Sequence, residues 1–273
     1  MERLGADQVC PNGHTFSLKD GVLSLLSEAF ACELDPFLQT FSSYRQVVHE
    51  RITDAKVYDG LPWSGLAIDK GAWQLRVLDL QLVREVLSGQ RGIRVLDIGA
   101  WNGWLSARLT EEGHSALAVD YFDDPFDGLG AVQHYDRKFP AIQCDLERLD
   151  LLEGPFDLIV VQRCVAFFED LTASMSQWRS LLTPGGRILL TGLSIHHQDR
   201  WIADTFKRRR ERYHALTGGT YIFKNVKGYL DGTDEQLLRT LGVALHPYPS
   251  LRIKNLLNRF RPSKPVFLYG IAQ

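Results

Sequence analysis

The sequence predicts an α/β fold built on a doubly wound, mostly parallel sheet. From Ile93 onward, short apolar runs alternate with stretches of helical spacing. Several of those runs are apolar throughout, as strands covered on both faces must be. A chain of 273 residues is long enough for one large domain of this kind with a small appendage. Apolar residues make up 45% and charged residues 23%, which excludes a disordered or fibrous chain.

Taken in order, Asp35–Asp54 has a helical pattern with Phe37, Phe41, Tyr44 and Val48 on one face, and Trp73–Leu87 has another. "IRVLDIG" then reads as a buried strand, Trp104–Glu112 as a helix, and Gly113 as its stop. "SALAVD", "FPAIQCD" and "FDLIVVQ" supply a second, third and fourth strand. A helix over Leu171–Leu182, a "PGG" turn at Pro184–Gly186 and a fifth strand in "RILLTG" come next. His196–Leu216 is a strongly basic helical stretch, Asp231–Leu241 another helix, and "VALHPYP" and "KPVFLYGIA" are two closing strands, seven in all. Ligands of such sheets bind at the strands' carboxyl ends, so the loops after Ile98, Val119, Gln143, Val161 and Thr191 are expected to hold the site.

No apolar run approaches the roughly 20 residues of a membrane-spanning helix, and the first residues lack a signal-peptide core, so a cytoplasmic protein is expected. The cysteines Cys10, Cys32, Cys144 and Cys164 show no C-x-x-C spacing, which gives neither a disulfide framework nor a complete zinc site. The net charge of -2 hides a contrast: 14 acidic and 4 basic residues over Glu111–Asp170, against 5 and 14 over Arg200–Lys264. Such a contrast can mark an anionic partner, or it can mix on the folded surface.

"VLDIGAWNGW", Val95–Trp104, places a glycine turn between the first strand and its helix. No P-loop string occurs, and a dinucleotide fingerprint starting at Gly99 would need glycine where Trp101 and Trp104 stand. Asp97 at the strand's end would repel a pyrophosphate but attract ammonium and sulfonium groups. The turn, with Asp97, Gly99 and Gly103 around Ala100 and Trp101, resembles motif I of the class I S-adenosylmethionine-dependent methyltransferases, which have a Rossmann-like sheet.

The resemblance continues downstream of the turn. Asp120, with Tyr121 beside it, ends the second strand where a carboxylate can accept from both ribose hydroxyls. The resemblance implies that Asp145 and Leu146 meet the adenine and that Gln162 and Arg163 line the cofactor and acceptor pocket. "FDLIVV" and "LTPGGRILL" are similar to that family's fourth- and fifth-strand strings. "SYRQVVHER", "WQLR" and "RPSKPVFLYGIA" are similar to a bacterial group of these enzymes with a short cysteine-containing leader. Of that leader's zinc-ribbon-like ligands only Cys10 and His14 remain, whereas tetrahedral zinc needs four, so a degenerate, metal-free leader is expected. The implied division is a leader over 1–30, a helical extension capping the site over 31–92, and a catalytic domain over 93–273 with a helical insert at about 196–230.

Methyl transfer needs positioning more than acid–base chemistry, so no obligatory catalytic residue is expected. Trp73 and Arg76 are similar to residues closing over the methionine end, where Arg76 could pair its carboxylate. Tyr44, His196 and His197 are acceptor-side candidates; a histidine there could deprotonate a hydroxyl or simply cap the next helix in solvent. "KRRRER" at Lys207–Arg212 could grip RNA phosphates, or form a solvated helix face over the pocket. The expected activity is S-adenosylmethionine-dependent methylation of a small molecule. The alternatives are an RNA base as acceptor, or cofactor binding without turnover. The Trp101 indole is expected to pack over the rim of the site against the leading helices.

Overall fold

The computed structural model describes residues 8–9, 15–197, 199–261 and 263–273. Its strands are β1 (Gln8–Val9), β2 (Thr15–Phe16), β3 (Leu18–Lys19), β4 (Val22–Ser24), β5 (Arg94–Ile98), β6 (Ser115–Asp120), β7 (Ala141–Gln143), β8 (Phe156–Gln162), β9 (Leu182–His196), β10 (Leu230–Asp231), β11 (Ala244–Pro247) and β12 (Val266–Ala272). The helices are α1 (Glu28–Val47), α2 (Lys70–Val86), α3 (Trp104–Glu111), α4 (Leu171–Ser180), α5 (Asp199–Thr217), α6 (Gly232–Thr240) and α7 (Arg252–Asn258).

The main sheet runs β11-β12-β9-β8-β5-β6-β7-β4-β3, with β10 beside the end of β9. Strand β5 pairs in parallel with both β6 and β8, so the chain winds outward in both directions from it. The carboxyl ends of β5 and β8 therefore open a crevice at the switch point. Strand β12 is antiparallel to both β9 and β11.

Alternation along β5 sorts its side chains onto two faces. Val95 joins the cluster of Leu80, Val83, Leu105 and Leu109 beneath α2 and α3. Leu96 and Ile98 join Met175 and Trp178 of α4 on the other face. Each fully buried side chain of this kind contributes roughly 1.5–3 kcal/mol. Asp97 shares Val95's face, which turns its carboxylate toward α3.

Three expectations need correction. The sheet has ten strands rather than seven, because β4 adds in parallel to β7, with Leu23 opposite Ile142, and β3 and β10 add at further positions. Pro184–Gly186 does not precede a strand: β9 begins at Leu182, and between the partner pairs Phe156↔Leu182 and Leu158↔Arg187 it takes more residues than β8, so the glycines form a bulge. Helix α1 starts at Glu28 and holds Pro36 inside it. The Ser27 side chain accepts from the Phe30 N–H at its start, and burial of Leu34 and Phe37 outweighs the hydrogen bond that proline cannot donate. Cys10 and His14 lie outside the described residues.

Candidate active site

The turn after β5 is left-handed at alternate positions: Gly99 has φ 69°, Trp101 φ 52° and Gly103 φ 73°. The amides of Gly99 and Ala100 both donate to the Val119 carbonyl, at 3.0 and 3.1 Å, and tie the turn to β6. Both glycines are required by close protein contacts as well as by φ. A Cβ on Gly99 would lie 2.5 Å from the Cys164 Sγ, and one on Gly103 would lie 2.3 Å from the Phe139 ring.

Asp120, at the end of β6, is buried. Its Oδ2 accepts from the Trp101 N–H at 2.6 Å, and its Oδ1 accepts from the amides of Tyr121 and Phe122 at 2.6 and 3.2 Å. Burial nonetheless outweighs these bonds and pushes its pKa up to about 6. Asp97 lies behind the turn with no exposed surface. Its carboxylate accepts from Ser106 Oγ at 2.8 Å and from the Gln162 amide, and burial pushes its pKa up to about 7.

A cavity of about 280 Å³ opens in front of the turn. Its floor is Gly99, Trp101, Asp120, Tyr121, Leu146 and Cys164; its roof is Phe37 and Phe41 of α1 with Tyr221, Ile222, Phe223 and Lys224 from the segment after α5; Phe167 and Phe168 close one side. The roof is aromatic and interlocked. Phe223 meets Phe30 edge-on at 5.5 Å and Phe37 at 5.6 Å, while Phe41 meets Phe122 at 5.0 Å. Lys224 secures it by reaching Asp145 at 3.5 Å and Glu147 at 3.8 Å.

Residues 96–190 match the family described as "Methyltransferase domain". The match covers about a third of the chain. The chain is 28% identical over 102 residues to a malonyl-[acyl-carrier protein] O-methyltransferase of Erwinia pyrifoliae, covering 37% of this chain and 38% of that one. It is 26% identical over 125 residues to a demethylmenaquinone methyltransferase of Beutenbergia cavernae, covering 45% and 47%. The matched part thus spans less than half of either relative. A crystal structure of a proposed sarcosine dimethylglycine methyltransferase from Galdieria sulphuraria superposes with a TM-score of 0.52 at 11% identity, covering 85% of this chain and 97% of that one. That likeness is one of fold.

Many of the residues singled out from sequence fall into two groups. Gly99, Trp101, Asp120, Tyr121, Leu146 and Arg76 line the cavity. Ala100, Gly103, Asp97, Gln162 and Trp73 are buried around it, and Asp145 accepts from the Tyr121 hydroxyl at 3.2 Å at its edge. Trp101 stacks on Trp73, with ring centres 5.8 Å apart, and carries Arg45 and Arg76 each 4.8 Å from its ring centre.

Arg163 lies off the 280 Å³ cavity and lines a second one. Its guanidinium bonds Asp79 of α2 at 2.8 Å, and the Tyr248 hydroxyl donates to the same carboxylate at 2.5 Å. This largely buried trio clamps α2 to the ends of β8 and β9, and Asp79 is the only ion-pair partner of Arg163 among the described residues. Tyr44 also misses the cavity, since it packs on Tyr213 and Tyr221 at 4.8 and 6.3 Å. His196 lines a second cavity of about 670 Å³, with Arg163, Trp201, Arg208, Arg209 and Lys264, whereas His197 is exposed. Phe167 lines both cavities. The aromatic roof was missed because its parts come from Phe30 to Phe223; the local signal was only the clustered aromatics of "TGGTYIFK" beside a basic helix.

Proposed function

We propose that the protein transfers a methyl group from S-adenosylmethionine to a small-molecule acceptor, with the 280 Å³ cavity as the donor's seat. One observation carries this reading: the cavity holds a fixed carboxylate, Asp120, and a cation, Arg76, that forms no ion pair among the described residues. The donor has complementary groups, ribose hydroxyls and an amino-acid carboxylate. Asp120 has lone pairs left after its backbone bonds, so it would hold the ribose, and Arg76 would hold the carboxylate. Leu146 and the aromatic wall give the adenine an apolar slot.

When bound, S-adenosylmethionine supplies a methyl group on positively charged sulfur, which passes in line to the acceptor's lone pair while the carbon–sulfur electron pair returns to sulfur. The aromatic roof would exclude water from this exchange. The 670 Å³ cavity fits the acceptor: it joins apolar Val165, Ile202 and Phe206 with Arg208, Arg209 and Lys264, and no acidic residue is among its described lining. His196 is held below its ordinary pKa by burial and by the neighbouring His197 and Arg209, so its neutral imidazole could take a proton from a hydroxyl. The division into a leader, a cap over 31–92 and a catalytic unit over 93–273 belongs to the same proposal, since α1, α2 and the insert each supply walls or roof. By their names, the two curated relatives act on malonyl-[acyl-carrier protein] and on demethylmenaquinone.

The test is transfer of labelled methyl to a panel of anionic and neutral small molecules and to bulk RNA. Product among the anionic small molecules is expected. Transfer to RNA alone, or cofactor binding with no transfer to any acceptor, would sink this reading.

A further inference from the structure

Helix α7 is amphipathic in reverse. Its polar residues Asn255 and Asn258 face inward, where the Asn255 side chain exchanges two 2.8 Å bonds with the Phe267 backbone and Asn258 donates to the Pro265 carbonyl at 2.7 Å. Its apolar residues face out: Ile253 is 77% exposed, Leu256 56%, Leu257 52%, and Phe260 just beyond the helix 81%. These four recur at helical spacing and so form one stripe rather than scattered surface carbons.

The surroundings are uniformly cationic. Arg252, Lys254, Arg259, Arg261 and Lys264 are all exposed, and none forms an ion pair among the described residues. No acidic residue occurs in the sequence after Glu235. A stripe of aliphatic and aromatic side chains flanked by basic ones is the composition of a helix that lies in the plane of a lipid interface. A second copy of the chain fits this face poorly, because an isologous contact would set five cations against the same five. Nucleic acid would match the charge but leave Ile253, Leu256 and Leu257 without base-stacking partners.

We propose that α7 and Phe260 dock the protein onto an anionic lipid surface. The apolar stripe enters the headgroup–acyl boundary, and the five cations meet the lipid charge. The segment just beyond it, Ser263–Pro265, lines the 670 Å³ cavity, so docking would bring that cavity beside the surface.

The experiment is sedimentation of the full chain with phosphatidylcholine vesicles, with and without phosphatidylglycerol. Binding is expected with phosphatidylglycerol only, and it should weaken as salt rises. L256S/F260S alters only exposed side chains and should lower partitioning about a hundredfold. R252S/K254S keeps the stripe and should lower it roughly fivefold for each charge removed. The proposal is overturned if the wild-type chain stays in solution with anionic vesicles, or if L256S/F260S partitions like wild type. It is also overturned if the free protein forms a dimer that L256S/F260S abolishes, which would give the face to a second copy.

Discussion

The guanidinium of Arg76 rests 4.8 Å from the centre of the Trp101 ring and 4.9 Å from that of Trp73, with no ion-pair partner among the described residues. Burial, with the nearby cations of Arg163 and Arg45, pushes its pKa down to about 9. An anion arriving in the cavity would therefore be strongly welcomed. Arg76→Ala is expected to weaken S-adenosylhomocysteine binding about 10- to 100-fold, the scale of one charge-assisted hydrogen bond. 5′-Methylthioadenosine, which lacks the amino-acid end, should bind wild type and variant alike in calorimetry. Equal losses for both ligands would remove Arg76 from the carboxylate.

Asp120 should make cofactor binding depend on pH. Only the ionised carboxylate can accept from both ribose hydroxyls, so affinity should rise as pH climbs through about 6. Asp120→Asn should flatten that profile and bind more weakly; an unchanged profile in calorimetry would refute the role.

Stability should move the other way over the same range. Burial raises Asp97 to about 7 and Asp120 and Asp127 to about 6, above the ordinary 3.8, so between about pH 4 and 7 the folded chain binds more protons than the unfolded one. Its stability then falls as pH rises across that window. Tm followed from pH 4 to 7 should decline for the wild type, and less steeply for Asp97→Asn; a Tm that climbs would contradict the burial argument.

Asp79 gathers Arg163 and the Tyr248 hydroxyl in one buried site, and the Gly192 amide donates to that hydroxyl at 2.7 Å. Asp79→Ala strands a guanidinium and should cost about 3–5 kcal/mol in urea denaturation. A loss below about 1 kcal/mol would mean that solvent already relieves the pair.

Gly103→Ala combines a left-handed φ with a clash against the Phe139 ring. Phe139→Leu should recover the steric part but leave about 1 kcal/mol of backbone strain. Full recovery in the double variant would show that φ is no constraint. For Trp101→Gly, relief of about 1–2 kcal/mol at φ 52° nearly offsets the lost stacking of about 0.5–1.5 kcal/mol, so the fold should persist and still bind cofactor.

Much of the sheet was legible because β5, β6 and β8 are short apolar runs whose pattern is local. The glycine turn was legible for the same reason: Asp97, Gly99, Gly103 and Asp120 lie within two adjacent strands and one helix start. What escaped depends on pairings between distant residues. Arg163 gave no local sign that Asp79 would claim it, and Phe37 and Phe223 could not be seen to share a roof. The indole of Trp101 stacks on Trp73 of α2, and it also forms part of the cavity floor.

The pairing of β4 with β7 has a practical consequence. Val22–Ser24 covers backbone groups of β7 that would otherwise stand open to any passing chain. A version of the protein cut back to residue 27 would keep every side chain of the 280 Å³ cavity, yet present a bare sheet margin and a tendency to aggregate. Strand β4 thus acts as a selvedge, a woven border that keeps the fabric from fraying where the cavity does not reach.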